Sequence, residues 1–77
     1  MIWLYERGQE ALRIETRYDK DLRQYVATMY WPDGRSESER FTSRESFHAR
    51  LRALERQLAA DQWQQIGGPK LLDEGSG

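Results

Sequence analysis

At 77 residues, with 38% hydrophobic and 32% charged residues, the chain suits one small soluble domain with a thin core. It has no cysteine and a single histidine, so neither a disulfide nor a Cys/His zinc site can staple that core. A formal net charge of −1 and a pI near 5.8 set it apart from the basic domains that typically bind nucleic acid.

Ile2-Trp3-Leu4-Tyr5 reads as a first strand. The run is too short for a signal peptide or a membrane span, so a cytoplasmic location is expected. It is apolar on both parities, the pattern of a strand covered on both faces, and its core face can be either. A three-residue loop after it puts Ile2 and Leu4 on the core side. A two-residue Gly8-Gln9 turn, with Gly first, puts Trp3 and Tyr5 there instead, because a slip of one residue turns the whole strand over. The first arrangement is preferred.

Glu10 to Tyr18 alternates, with Leu12, Ile14, Thr16 and Tyr18 on one side and Ala11, Arg13, Glu15 and Arg17 on the other. That is the pattern of a half-buried strand. A polar turn at Asp19–Leu22 leads to a third strand, Tyr25 to Trp31. Pro32-Asp33-Gly34 is the strongest turn signal: Pro presets φ, and Gly takes the left-handed position of a bulged hairpin. Arg35 to Phe41 is a polar fourth strand, as expected of an edge that resists further pairing. A three-residue Pro-Asp-Gly loop pairs Met29 with Glu37 and Tyr25 with Phe41. A four-residue loop at Asp19–Leu22 pairs Thr16 with Tyr25, Ile14 with Ala27 and Leu12 with Met29. Opposed residues share a face, so Leu12, Ile14, Thr16, Tyr25, Ala27, Met29 and Phe41 fall together.

Thr42 to Gln65 carries the only clear helical period. Phe47, Leu51, Leu54 and Leu58 form one apolar stripe. Thr42 and Glu45 fit a capping box, and Gly67, Gly68 and Pro69 end the helix. Such a helix is roughly 35 Å long. Trp63 lies off the stripe. It either folds back at a frayed end or serves as a partner-binding anchor, since Trp is enriched at interface hot spots. Residues 1–66 then form one domain, and 67–77 a disordered tail.

The predicted fold is α+β: a four-stranded antiparallel meander with one C-terminal helix packed on one face, in the order ββββα. One helix covers one face of a sheet. The other face is expected to hold Arg13, Arg17, Tyr30 and Arg40, with Trp3 and Tyr5. A domain this small buries only about 60% of its unfolded surface, and oligomerisation is a common remedy.

No stretch carries chemistry. His48 has Ser43 and Ser46 nearby in sequence but no triad geometry. Asp19 and Asp21 lack the Gly and Glu of a calcium loop. Glu37 and Glu39 fit a soluble edge strand better than an acid/base pair. No enzyme activity, cofactor or metal is expected.

The segment YVATMYWPDGRSESERF, running into the capped helix, resembles small bacterial proteins that carry no assigned activity, and this implies no function. The ββββα order is similar to the repeat of the Whirly and Pur-type single-strand nucleic-acid binders; the likeness is one of element order, without a shared motif. The leading expectation is a non-enzymatic protein-interaction module, homodimeric, with no membrane contact. The alternative is a single-strand nucleic-acid binder, with Arg13, Arg17 and Arg40 neutralising phosphate and aromatic residues stacking bases.

Overall fold

The computed structural model describes residues 1–68. Strands β1 (Ile2–Arg7), β2 (Glu10–Asp19), β3 (Gln24–Tyr30) and β4 (Ser36–Phe41) precede a helix, α1 (Arg44–Ala60), and a short strand, β5 (Gln64–Gly67). They form one antiparallel sheet in the order β4-β3-β2-β1-β5, with α1 packed on one side. The α+β meander is as expected, and β5 is an addition to it.

The turns account for the register. Gly8 takes a φ of 61° and Arg7 pairs with Glu10, so the first hairpin closes in two residues with its left-handed residue first. This choice sets the phase of β1. Trp3 and Tyr5, 3% and 4% exposed, join the core, whereas Ile2 and Leu4 face outward at 51% and 40%. The preference for Ile2 and Leu4 in the core is therefore corrected: Gly in the first loop position closes the tighter turn, and the two indistinguishable parities follow from it.

The second hairpin turns through Lys20–Arg23, one residue later than expected. Asp19 stays paired with Gln24, its Oδ1 accepts the N–H groups of Asp21 and Leu22, and Arg23 closes the loop at a φ of 55°. Ile14 therefore pairs with Met29 and Thr16 with Ala27. The shift is two residues, an even number, so every side chain keeps its face. The third hairpin closes around Gly34, at a φ of 91°, and pairs Met29 with Glu37 and Tyr25 with Phe41 as expected.

Helix α1 is capped by Ser43 rather than Thr42: Ser43 Oγ accepts the Ser46 N–H at 3.2 Å. Phe47, Leu51, Leu54 and Leu58 are buried against Trp3, Tyr5, Leu12, Ile14, Ala27 and Met29. At the sheet end below the first turn, Tyr18, Tyr25, Phe47 and Phe41 contact one another in a chain of rings 4.9–5.9 Å apart. Arg50 bonds both carboxylate oxygens of Glu39 and ties the helix to β4.

The helix stops at Ala60, five residues before the expected end at Gln65. Gln62 takes a φ of 71°, Trp63 N–H donates to Leu58 C=O and Gln62 N–H to Ala59 C=O. This is a Schellman motif, with the hydrophobic pair Leu58 and Trp63 behind it. Trp63 is 6% exposed and belongs to the core. Its expected place on the helix, on the side away from the apolar stripe, is corrected: burial of the indole outweighs the cost of a left-handed Gln, and the chain leaves the helix to do it. At 17 residues, the helix is about 25 Å long, close to the about 24 Å width of five strands. Gly67 pairs with Leu4 in β5, and a Cβ on Gly68 would lie 2.6 Å from Ile2 C=O, so both glycines belong to the fold rather than to a tail. The remainder of the expected tail, 69–77, lies outside the described residues.

Candidate functional site

Strand parity puts the uncovered face together row by row. Leu4, Arg13, Tyr30 and Ser36 stand side by side across β1 to β4, and Gly67 extends this row into β5. The next row is Ile2, Glu15, Thr28 and Ser38. Arg17, Val26 and Arg40 follow at one end, with Ala11 and Glu6 at the other. No second helix stands over these rows among the described residues.

Of the residues expected here, Arg13, Arg17, Tyr30 and Arg40 lie on this face. Trp3 and Tyr5 do not, for the reason given by the first turn; Ile2 and Leu4 take their places. Ile66 was not expected. It sits at the β1–β5 bulge and is 57% exposed. Together Leu4, Ala11, Arg13, Tyr30, Pro32 and Ile66 line an open groove of about 500 Å³.

The charges on the face come in pairs. Arg13 bonds Glu15 at 2.9 Å, and its guanidinium carbon lies 4.5 Å from the centre of the Tyr30 ring. Arg40 reaches Asp19 at 3.3 Å and Arg17 the same carboxylate at 3.9 Å. The Leu22 N–H, and then Arg40, the Asp21 N–H and Arg17, hold the Asp19 carboxyl below the usual carboxylate range against the opposing effect of desolvation. Val26, opposite both Arg17 and Arg40, is only 2% exposed, so long polar side chains lie over that end of the face. The face is thus apolar at the β1–β5 end and closely charge-balanced elsewhere.

Two features lie off this face. Arg7 stacks 4.4 Å from the Trp63 ring, donates to Asp61 C=O at 3.0 Å and bonds Glu10 at 3.1 Å, which locks the helix exit to the first hairpin. Glu55 is buried on α1, and burial, with the Glu55 charge second, pushes the Tyr5 phenol from its ordinary value up to about 12. A raised phenol favours the protonated fold. Its contribution is complete below the unfolded value near 10 and disappears as pH rises through about 12. Alkaline unfolding of the wild type is expected to steepen across that window, and Tyr5→Phe to lose the extra steepness; equilibrium denaturation from pH 9 to about 12 compares the two.

His48 is half-buried, with its ring 5.7 Å from Phe47, and Ser43 is engaged in capping the helix. No three His, Asp or Glu side chains among the described residues are grouped to hold a metal ion. No described helix is long and apolar enough to cross a membrane. Compared with protein-family models, curated proteins and solved structures, the chain matches none.

Proposed function

We propose that this protein is a non-enzymatic interaction module that self-associates as a homodimer. The observation that carries this reading is the set of exposed apolar side chains Ile2, Leu4, Tyr30 and Ile66, gathered on a sheet face that no second layer covers among the described residues. Burying such a patch is favourable at about 25 cal/mol per Å² of apolar surface removed from water, and contiguous patches of this kind mark interaction sites. The edges are less suited to the task. β5 is short and bulged next to Ile66, and β4 carries Glu37 and Glu39 on one side, both of which are devices against edge pairing.

Single-strand binding through Arg13, Arg17, Tyr30 and Arg40 has weaker support. Each of those guanidinium groups already holds a carboxylate, and phosphate would have to displace it. Of the three rings expected to stack bases in that reading, Trp3 and Tyr5 are under the helix and Tyr30 alone stays on the face.

Sedimentation equilibrium from micromolar to millimolar protein tests the proposal. A reversible monomer–dimer equilibrium is expected. A strict monomer throughout that range contradicts it, and a monomer that instead binds a mixed-sequence oligonucleotide in a salt-dependent way assigns the face to nucleic acid.

A further inference from the structure

We infer that the open face is occupied by a second copy of this chain, its sheet stacked on the first about a two-fold axis that crosses the strands between the Arg13 row and the Glu15 row. This inference rests on the self-association proposed above and adds its surface and its geometry.

Size makes a stacked dimer feasible. Five strands span about 24 Å, and strands of four to ten residues run about 13–33 Å. The face therefore offers about 500 Å² per copy, which reaches the roughly 1,000 Å² in total that a specific interface needs.

Charge makes a copy of the chain a suitable occupant. The face carries Arg13, Arg17 and Arg40 against Glu6, Glu15 and Asp19, three of each sign. A surface with balanced charge gives a strongly charged partner no net attraction but can meet its own copy, provided that opposite signs fall on one another.

Register then selects the axis. A two-fold axis lying between the sheets and running across the strands keeps each strand over its counterpart and reverses its direction. The Arg13 row of one copy then lies on the Glu15 row of the other. Leu4 meets the partner's Ile2, Arg13 meets the partner's Glu15, and Tyr30 meets the partner's Thr28. At the centre, the two Arg13–Glu15 pairs form a square of alternating charge. An axis along β2 would instead set Arg13 on the partner's Arg13 and Glu15 on the partner's Glu15. Like charges facing one another in a desolvated interface are strongly unfavourable, so the crosswise axis is the self-complementary one.

The test is a pair of charge reversals used separately and together. Arg13 and Glu15 are both substantially exposed, so the fold is expected to tolerate Arg13→Glu and Glu15→Arg, as circular dichroism can verify. Each variant alone places like charges opposite one another twice per dimer. Its dimer dissociation constant should rise at least about tenfold. An equimolar mixture of the two chains restores both opposite-sign contacts in the heterodimer, so association should return to within a few-fold of wild type. A misfolded variant could not be rescued in this way. If either variant alone associates like wild type, the face is not the interface, while self-association itself stands. If the mixture stays as weak as its components, the crosswise arrangement is wrong. If wild type is monomeric up to millimolar concentration, self-association and this geometry fall together.

Discussion

Trp3→Ala is expected to destabilise the fold severely, whereas Leu4→Ala, one residue further along the same strand, should leave its stability nearly intact. Trp3 is 3% exposed beneath the helix, among Leu12, Ile14, Met29 and the α1 stripe. Truncating a buried aromatic side chain costs about 3–5 kcal/mol. A 77-residue domain has a total stability of only about 4–12 kcal/mol, so that loss is a large share of it. Leu4 lines the outer groove and is 40% exposed in the monomer. Its truncation should cost under about 1 kcal/mol at dilutions where the chain is monomeric. Urea denaturation followed by tryptophan fluorescence and circular dichroism measures both. A larger loss for Leu4→Ala than for Trp3→Ala would mean that β1 presents the opposite face to the helix.

Trp63→Ala carries the second large effect. Trp63 closes the core at the helix exit, forms the hydrophobic half of the Schellman motif with Leu58 and provides the ring on which Arg7 stacks. Its removal should cost about 3–5 kcal/mol. The damage should be felt first in β5, which is only four residues long and pairs with β1 alone. Amide exchange is therefore expected to accelerate at Gln64–Gly67 before the central strands. A surface anchor would behave in the opposite way: Trp63→Ala would weaken association and leave the monomer's melting temperature unchanged. Arg7→Ala, which removes a partly exposed stack and hydrogen bonds, should produce a smaller loss of about 1 kcal/mol.

The parts of the fold that could be read from the chain were those in which apolar period and turn chemistry agreed. Leu12 and Ile14 alternate with Arg13 and Glu15, and Ala27 and Met29 with Thr28 and Tyr30, so the two central strands showed their faces directly. The loop after Asp19 was misplaced by one residue without harm, because the resulting register shift was even. β1 offered no such pattern: Ile2, Trp3, Leu4 and Tyr5 are all apolar, and only the left-handed Gly8 separates the two parities. The helix end was hidden for a different reason. A Schellman motif usually advertises itself with Gly, but here the left-handed position holds Gln62, and the residues beyond it are acceptable helix formers. Burial of Trp63 and pairing with β1 override that local preference, and they bring Ile66 to the open face as well. The charged part of the candidate surface was legible because Arg13, Arg17, Tyr30 and Arg40 lie on strands of known parity. Its apolar part was not, because Leu4 and Ile66 depend on the two features that the local pattern leaves undetermined.

Among the described residues the fold has two layers and one uncovered sheet face, and that face is the physical basis for everything proposed about the protein's role. The most direct measurement is an amide NMR dilution series on the wild-type protein. Concentration-dependent shifts are expected at Leu4, Arg13, Tyr30 and Ile66 on the open face, while Ala49, Ala53 and Arg56 on the exposed side of the helix stay fixed. Shifts confined to the helix side, or a spectrum identical at every concentration, would contradict the account.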